Sequence, residues 1–414
     1  MSTICVQWPR LGPYHLARLR AAHAALAEHG HRVVALETAG DDATYEWDAE
    51  TGAEPFERVQ VFPGATYDAL APQRIQAGVA EALDRIDPAG VAINAYSTPD
   101  ALAALAWCRR RRRTAILMME STAHDVARTA LREGVKRVLV AEYDAALAGG
   151  SAQRDYLLQL GMPPDRITLG YDVVDNAFFA DGAAAASRET AGGLPGLSDP
   201  APFFLTSNRF VGRKNLDRLL RAYAAYRTAT TARPWRLVLL GDGPLRADLE
   251  AQVERDAIEG VTFAGFQQIR ALPTYYGLAG AFVHVPLVEQ WGLVINEAMA
   301  AGLPVVASTR AGATRDLVRD GENGVRVDPE NEAAIAAALR SVGEATPEAL
   351  GAMGARSREI IADWGPERFG RGLWAAYQEG ARRSDRGLGL AATAVLSAWR
   401  LAARRTQSFH AITE

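Results

Sequence analysis

The fold is decided by one stretch of this chain, Ala281-Phe-Val-His-Val-Pro286-Leu-Val-Glu289-Gln-Trp-Gly292-Leu-Val-Ile-Asn-Glu297-Ala-Met-Ala-Ala-Gly302-Leu-Pro304. The apolar run at 281–286 predicts a buried strand, and Gly292 opens a predicted helix. In open α/β sheets, ligands bind at the carboxyl ends of strands, where helix N-termini offer free N–H groups to anions. The stretch therefore predicts an anion-binding loop, with the carboxylates of Glu289 and Glu297 placed to hold hydroxyl groups.

The same alternation of short apolar runs and helical patterns extends over most of the chain. It predicts helices at 13–28, 72–85, 99–111 and 244–258, and strands at 3–7, 32–36, 59–62, 91–95, 115–119, 143–147, 167–169, 203–206, 236–240, 261–263, 281–285, 305–307 and 324–327. Such alternation is typical of parallel, doubly wound sheets. The Gly/Ala/Pro-rich segment 181–202 interrupts it and is interpreted as a linker. The fold class is therefore α/β, with Rossmann-like domains at 1–180 and 203–365 and a ligand cleft expected between them.

The composition of the 414 residues excludes several classes of protein. A net charge of −4 argues against a nucleic-acid binder that works by bulk charge. The two cysteines, Cys5 and Cys108, have no metal or disulfide spacing, which favours a reduced cytoplasmic setting. The chain begins with a predicted strand rather than a signal peptide, and no apolar run approaches the length of about 18 residues that a spanning helix needs. Only two of the 45 Lys and Arg residues are lysines, Lys136 and Lys214, and with the many alanines this indicates a bacterium with a GC-rich genome.

The stretch quoted above resembles the signature of family 4-type retaining glycosyltransferases (glycosyl transferases group 1) of the GT-B fold. The resemblance rests on Glu289 and Glu297 with seven residues between them, on Trp291-Gly292, and on the Ala-Met-Ala-Ala-Gly-Leu-Pro run that follows. It implies that Glu289 faces the transferred sugar and that Glu297 binds the ribose hydroxyls of a nucleotide. It also implies that the helix start at Gly292, Leu293 and Val294 receives the phosphates.

A second motif, Arg209-Phe-Val-Gly-Arg-Lys214-Asn215, follows the first predicted strand of the second domain. In the resembling family an Arg and a Lys at this spacing clamp the diphosphate. Preorganised cations stabilise the charge that develops on the leaving diphosphate, and losing one such contact typically costs about 10²–10³ in rate. Arg209 and Lys214 are therefore expected to be catalytic; the alternative is a basic loop that only caps the sheet.

Two further loops are expected to line the nucleotide side of the cleft. Gly241-Asp-Gly243-Pro follows a buried strand, but the third glycine of a dinucleotide fingerprint is replaced by Arg246, so the pattern is weak for NAD. The same loop is common in the resembling family, and a tight strand-to-helix turn is an equally good interpretation. By the same resemblance, main-chain groups around Phe266 and Gln267 are expected to hold the nucleobase.

The N-terminal domain carries fainter motifs. Gly12 is the one residue after the first strand that can take the part of the family's glycine-rich loop near the donor phosphates. His124-Asp125 looks like the family's His-Asp pair, with His124 facing the sugar. By strand register, however, Glu120 or Ser121 occupies that facing position, and the alternative for His124 is a helix N-terminal histidine beside a capping aspartate. The remaining histidines, His284 among them, show no metal spacing and are predicted to be structural.

These residues together favour a transferase that moves a sugar from a nucleoside-diphosphate sugar, UDP- or GDP-linked, to an acceptor hydroxyl of a glycan, glycolipid or natural product. The resemblance implies retention by same-face attack. The absence of an Asp-x-Asp pair predicts that no metal bridges the nucleotide, and neither a cofactor nor a nucleic-acid partner is expected. The alternatives are a GT-B phosphorylase or epimerase, a binding protein without turnover and, as the weakest, a dehydrogenase.

The C-terminal region raises the question of membrane contact. In GT-B proteins the last helices pack back on the N-terminal domain, and residues 366–414 are expected to do so here. The apolar segment 387–401, with Arg400, Arg404 and Arg405 at its end, has two interpretations: an amphipathic helix at the inner face of a membrane or on a partner, or a helix packed on the N-terminal domain. The arginine run 109–113 is interpreted as the solvated end of a helix, where cations complement the dipole.

Overall fold

The structure, a computed structural model, describes residues 2–41, 53–125, 128–187, 191–199 and 201–403. The chain divides into two compact units. The first contains residues 1–173 together with 366–414, and the second contains residues 174–365. Both units are built on a parallel sheet with helices between its strands.

The first unit contains a seven-stranded parallel sheet in the order β3-β2-β1-β4-β5-β6-β7. Its strands are β1 (Ser2–Trp8), β2 (His31–Asp41), β3 (Glu57–Thr66), β4 (Gly90–Asn94), β5 (Thr114–Met119), β6 (Ala145–Ala148) and β7 (Ile167–Leu169). Its first helices are α1 (Pro13–Ala27), α2 (Pro72–Ile86), α3 (Pro99–Arg111), α4 (Ala130–Val140) and α5 (Ser151–Gln159). The central strands are buried on both faces because helices cover each side of the sheet.

The second unit contains a six-stranded parallel sheet in the order β10-β9-β8-β11-β12-β13. Its strands are β8 (Phe203–Ser207), β9 (Arg236–Leu240), β10 (Val261–Gly265), β11 (Ala281–His284), β12 (Val305–Ser308) and β13 (Gly324–Val327). Its helices are α6 (Asn176–Ala184), α7 (Leu216–Ala229), α8 (Arg246–Arg255), α9 (Leu272–Leu278), α10 (Leu293–Ala300), α11 (Gly312–Leu317), α12 (Glu332–Gly343) and α13 (Pro347–Ile361). In both sheets the order reverses beside the first strand, which is the position where doubly wound folds bind ligands.

The chain then returns to the first unit through α14 (Pro366–Ala381) and α15 (Leu390–Ala403). Phe369, Leu373 and Ala376 of α14 lie in the same buried cluster as Trp8 of β1. The ring of Phe369 stacks on that of Trp8 with 6.1 Å between the ring centroids. The first unit therefore takes part of its core from a segment that follows the whole second unit in the sequence.

The segment 181–202, interpreted above as a linker, lies within the second unit in its described part. The end of α6 contacts α9, and a Cβ added to Gly182 would lie 2.5 Å from a side-chain atom of Pro273. Leu197 is buried, and the Tyr275 hydroxyl donates to the Pro195 carbonyl at 3.0 Å. Glycine and proline mark irregular backbone here, and composition does not distinguish a free linker from an irregular segment that packs on a domain.

The arginine run at 109–113 is more heavily paired than a solvated helix end requires. Arg109 is buried and forms an ion pair with the buried Asp144 at the start of β6. The later residues of the run pair with surface carboxylates: Arg111 with Asp84, Arg112 with Asp385 and Arg113 with Asp87. The arginine run thus ends α3 and connects this helix to neighbouring segments through ion pairs.

Helix α15 packs on the first unit in its described part. Ala392 is buried, and Leu396 lies in a small apolar cluster with Leu102 and Ala106 of α3 and Leu139 of α4. Residues 404–414, which include Arg404 and Arg405, and the side chain of Arg400 lie outside the described part of the chain. Among the helices the structure describes, none has both the length and the apolar character needed to cross a membrane.

Candidate functional site

The second unit gathers most of the predicted site residues at the carboxyl edge of its sheet. They lie in the loops that follow β8, β9, β10 and β11 and in the first turn of α10. Each loop is held by main-chain hydrogen bonds to a neighbouring loop, so the backbone forms the framework of the site. A rigid frame of this kind allows charged groups to be positioned before a ligand arrives.

Lys214 is fixed by the short turn that precedes α7. Its N–H donates to the Val211 carbonyl at 2.9 Å, and the next residue, Asn215, adopts a left-handed conformation with φ of 60°. The Asn215 side chain is buried and donates to the carbonyls of Val285, at 3.0 Å, and Pro329, at 2.8 Å. This asparagine therefore joins the Lys214 loop to the loop after β11.

The Lys214 ammonium forms an ion pair with Oε2 of Glu289, and the two side chains are only 13% and 12% exposed. The Nε2 atom of His284, the last residue of β11, lies 3.4 Å from the same Oε2. Burial by itself raises the pKa of Glu289, but the Lys214 charge and the His284 contact outweigh it and hold that pKa well below its usual value. Glu289 is therefore ionised at neutral pH.

The other carboxylate oxygen of Glu289, Oε1, receives no hydrogen bond from any residue that the structure describes. Main-chain bonds fix the position of the residue, because the Gly312 N–H donates to the Glu289 carbonyl at 3.2 Å and the Ala313 N–H donates to that of Trp291 at 3.0 Å. The carboxylate thus has one oxygen engaged by the protein and one oxygen available to a ligand.

Gly292 caps the N-terminus of α10 with φ of +100°, a conformation that favours glycine. A Cβ at this position would lie 3.3 Å from Nε2 of His284 and 3.4 Å from Cγ of Glu289, so the turn also needs a residue without a side chain. The N–H groups of Leu293 and Val294 begin the helix and have no acceptor within it. The turn therefore presents free N–H groups, with the positive end of the helix dipole, beside the Glu289 carboxylate.

Glu297 lies one and a half turns into α10 and is buried, with 1% of its surface exposed. The Tyr276 hydroxyl of α9 donates to its Oε2 at 2.6 Å. The ring of Tyr276 packs edge-on against Phe179 of α6 and tilted against Phe282 of β11. The carboxylate predicted to bind ribose is therefore positioned by a tyrosine that the sequence analysis did not identify.

Arg209 is exposed, and its guanidinium has no partner among the described residues. Its neighbours in the chain are firmly held: the Asn208 N–H donates to the Leu240 carbonyl at 3.0 Å and the Phe210 N–H to that of Asp242 at 2.8 Å. The Arg209 loop is thus clasped to the loop after β9. This leaves an unpaired cation at the same edge of the sheet as Lys214.

The clasp explains the glycines of the β9 loop. A Cβ at Gly241 would lie 1.8 Å from the Asn208 carbonyl oxygen, and one at Gly243 would lie 2.7 Å from that of Phe210. Both residues also have positive φ, 114° and 156°. Close packing against the Arg209 loop therefore explains why both positions are glycine. This explanation agrees with the interpretation of the motif as a tight turn.

Phe266 and Gln267 lie in the loop after β10. Phe266 is 37% exposed, and the Gln267 side chain donates to the Ala264 carbonyl at 2.8 Å. The Gly241 N–H donates to the Gly265 carbonyl at 2.8 Å, so this loop is connected to the β9 loop. An exposed aromatic ring on an anchored loop is a surface on which a base can stack.

The predicted residues of the first unit are placed separately. Gly12 caps α1, and its N–H donates to Nδ1 of His15 at 2.9 Å. His124 is exposed in a turn after β5, where Oδ2 of Asp125 accepts from the Thr122 N–H at 2.8 Å. Asp125 therefore stabilises the turn.

The two alternatives for the sugar-facing position lie just before that turn. Glu120 is half-buried directly after β5, and its carbonyl accepts from the Gln153 side chain at 3.1 Å. Burial raises the pKa of the Tyr96 phenol. A hydrogen bond with the Ser121 hydroxyl opposes this effect in part. The carbonyl of Glu120 and the hydroxyl of Ser121 thus already form hydrogen bonds within the first unit.

Neither cysteine suits nucleophilic chemistry. Cys5 and Cys108 are both buried, and burial raises the pKa of each thiol, that of Cys108 to about 12. Within the described ranges, no three His, Cys, Asp or Glu side chains are grouped closely enough to hold a metal ion.

The sequence analysis missed two residues of this site. It interpreted His284 as structural, and it did not consider Tyr276. A signal for His284 was present, because a polar residue at the end of an otherwise apolar strand, five positions before Glu289, faces the ligand edge of a parallel sheet. For Tyr276 the sequence offers no comparable signal, because its contact with Glu297 depends on how α9 and α10 pack.

The family model that matches this chain covers most of the second unit. Residues 194–359 match the family model described as glycosyl transferases group 1. The D-inositol 3-phosphate glycosyltransferase of Rhodococcus opacus is 32% identical over 267 residues, which cover 61% of this chain and 57% of that protein. The chain thus spans less than two thirds of the length of the curated relatives it matches first.

Solved structures extend the similarity to both units. A glycosyltransferase from Rickettsia africae superimposes with a TM-score of 0.69 at 13% identity, covering 92% of this chain and 99% of that one. HepE of Anabaena, crystallised with UDP and glucose, superimposes with a TM-score of 0.66 at 17% identity, covering 90% and 98%. The two parallel-sheet units therefore have the GT-B fold.

Proposed function

Because residues 194–359 match the family model described as glycosyl transferases group 1, we propose that this protein transfers a sugar from a nucleoside-diphosphate sugar to an acceptor hydroxyl. The observation that carries the proposal is the buried pair of Lys214 and Glu289 beside the start of α10. It combines a cation and free N–H groups, which suit a diphosphate, with a carboxylate oxygen that is free for a sugar hydroxyl.

In the proposed ground state, the second unit holds the donor. The diphosphate lies against the N–H groups of Leu293 and Val294, within reach of Lys214 and Arg209. Oε1 of Glu289 accepts a hydrogen bond from a hydroxyl of the sugar and so orients the ring. The fixed position of this carboxylate supports an orienting role, since preorganised groups need no rearrangement during the reaction.

In the proposed reaction, the bond between the anomeric carbon and the diphosphate oxygen breaks while the acceptor oxygen forms a new bond on the same face of the ring. The leaving diphosphate takes the proton of the acceptor hydroxyl, so charge and atoms balance without a covalent sugar–enzyme intermediate. Lys214, Arg209 and the N-terminus of α10 supply the positive charge that the leaving group needs. This supply supports a reaction that needs no metal ion.

A uridine nucleotide is the first donor to test, because the structural relative HepE was crystallised with UDP and glucose. In this proposal the exposed ring of Phe266 stacks on the base and Glu297 accepts from the ribose hydroxyls. The Tyr276 hydroxyl donates to Oε2 of Glu297 at 2.6 Å, which supports a carboxylate held in position for the ribose.

The test measures thermal unfolding of the full chain with UDP, GDP, ADP and TDP and with their glucose esters, with and without magnesium. A ligand at about 100 times its Kd adds roughly 2.7 kcal/mol to the free energy of unfolding. We expect one nucleotide to stabilise the protein equally with and without magnesium, and the matching sugar nucleotide to release its diphosphate slowly when no acceptor is present.

The Lys214→Ala variant should lose this stabilisation and about two orders of magnitude in turnover, because the leaving diphosphate loses a preorganised cation. Arg221→Ala is the matched control: Arg221 lies on the next helix, α7, and forms only half-exposed ion pairs with Asp217 and Glu332. If the wild-type protein unfolds cooperatively and no diphosphate raises its unfolding temperature, the proposed donor site is wrong.

A further inference from the structure

We propose that His284 is a positioning residue for Glu289, donating from Nε2 to Oε2 so that Oε1 alone faces the donor sugar. The inference deepens the proposed function and rests on it for the identity of the ligand. It assigns a task to a residue that lies outside the glutamate pair and the Arg209–Lys214 clamp.

The position of the His284 ring supports the assignment. His284 is the last residue of β11 and is 1% exposed, and its backbone is paired with Ala307 of β12. Its ring lies nearly parallel to that of Phe282, with 6.3 Å between the centroids. A ring fixed by a central strand and an aromatic neighbour has little freedom to turn, so its Nε2 atom stays directed at the Glu289 loop.

The tautomer follows from the charges around the ring. Burial lowers the pKa of His284 below its usual value, and the Lys214 ammonium lowers it further against the opposing effect of Glu289. The ring is therefore neutral at pH 7 and carries one proton. A lone pair on Nε2 directed at the Glu289 carboxylate would be repelled, so the proton belongs on Nε2.

The distance from Nε2 to Oε2, 3.4 Å, is long for a hydrogen bond. Contacts in empty active sites are often long and shorten when substrate binds. Neither ring nitrogen of His284 has a hydrogen bond of good geometry in the described part of the chain, so Nδ1 makes no competing contact that would draw the ring away from Glu289.

Two hydrogen-bond donors on Oε2 restrict rotation of the Glu289 carboxylate, which one donor does not. The terminal torsion of a glutamate is broad and roughly two-fold, so a carboxylate held by one flexible lysine can rotate and exchange its oxygens. With His284 on the rigid side and Lys214 on the other, Oε2 is held from two directions. Oε1 then keeps one position, which is what a group that orients a sugar ring requires.

The kinetic test compares His284→Leu, which fills a similar volume without a donor, with His284→Gln, whose amide can donate from a similar place. We expect His284→Leu to lower kcat about tenfold or more, as for a hydrogen bond to a charged group, while the KM for the nucleotide sugar stays within about twofold. His284→Gln should remain within about threefold of wild type. Equal losses of kcat in His284→Leu and His284→Gln, with both variants unfolding as cooperatively as wild type, would contradict the proposal.

A second measurement does not depend on turnover. Nitrogen-15 spectra of the histidine-labelled full chain distinguish the two neutral tautomers, and His284→Gln identifies the His284 signals among the seven histidines. We expect the Nε2–H tautomer at pH 7 and a shift of its signals in Glu289→Gln. Finding the Nδ1–H tautomer would contradict the inference even in an active enzyme. Finding the Nε2–H tautomer would support the inference even if no sugar nucleotide reacts.

Discussion

Lys214 and Glu289 show what sequence can say about a single residue. The motifs predicted both side chains as site residues, Lys214 for the diphosphate and Glu289 for the sugar. They gave no indication that the two are paired, because they lie 75 positions apart and are brought together by contacts between two loops, among them the bonds that Asn215 makes to Val285 and Pro329. The motifs therefore predicted the two side chains separately, and the packing of two loops places them in contact.

Gly241 supports a prediction about stability at this scale. Gly241→Ala should destabilise the second unit strongly, because the added Cβ would lie 1.8 Å from the Asn208 carbonyl oxygen and the residue has φ of 114°. The backbone strain by itself costs of order 1–3 kcal/mol. Denaturant unfolding should show a lower midpoint, and activity should fall with the displaced Arg209 loop.

Gly351→Ala is the matched control. Gly351 lies in α13, and a Cβ there would meet no atom within 4 Å. Alanine in a helix is favoured over glycine by roughly 0.5–1 kcal/mol, so this variant should be more stable than wild type. A stable Gly241→Ala protein would mean that the clasp between the two loops is absent in solution.

Strands and helices were largely predictable because their signals are local. The apolar runs identified every strand of both sheets, and the prediction for β9 agrees with the structure at both ends. The structure extends β2 to His31–Asp41 and β3 to Glu57–Thr66, beyond the predicted 32–36 and 59–62. In the fold Glu37 is buried and accepts from the Leu11 N–H at 2.8 Å and from Gln60 at 3.1 Å.

Helices whose ends depend on neighbouring loops were less predictable. The pattern after Gly243 predicted a helix at 244–258, and the structure has α8 at Arg246–Arg255, because the Leu245 N–H donates to the Phe210 carbonyl instead of joining the helix. The apolar segment 387–401 corresponds to α15, Leu390–Ala403.

The end of α3 carries a prediction at the scale of the element. Arg109→Ala should cost about 3–5 kcal/mol in unfolding free energy, because it leaves the buried Asp144 without its strongest partner. Asp144 would keep the Ala115 N–H, at 2.9 Å, and Arg386, at 3.2 Å. A double-mutant cycle with Asp144→Ala should give a combined loss well below the sum of the single losses.

The neighbouring Arg112 provides the control for this cycle. It pairs with Asp385 at the surface, where both side chains are mostly exposed, and Arg112→Ala should change the free energy of unfolding by less than about 1 kcal/mol. Similar losses for Arg109→Ala and Arg112→Ala would show that the buried pair does not stabilise the end of α3.

At the scale of the molecule, a buried histidine and a largely buried carboxylate should change the stability of the protein over different ranges of pH. In the first unit, burial and the charges of Arg18 and Arg10 lower the pKa of His15 to about 3. The unfolded chain binds this proton with a pKa near 6.5, so stability should fall as pH drops from about 6.5 towards 3. In the second unit, the pKa of Glu289 is held below its usual value, so its contribution should be lost only below about pH 4.3.

Calorimetry of the full chain between pH 4 and 8 tests this difference. His15→Asn should remove much of the loss of stability between pH 6.5 and 4, whereas His124→Asn, a change at an exposed histidine of the same unit, should leave it unchanged. An unaltered pH profile in His15→Asn would show that His15 titrates normally in the folded protein.

The packing of α14 also determines when the first unit can fold during synthesis. Phe369 and Leu373 belong to its core, yet the ribosome makes them only after residues 174–365 have been translated. At about 5–20 residues per second, that intervening segment takes on the order of 10–40 s. Throughout this time the apolar surface around Trp8 lacks its covering helix, while the second unit can already complete its own core. The segment that is translated first is therefore the one that finishes folding last, and a chaperone that binds nascent chains would find its binding surface there.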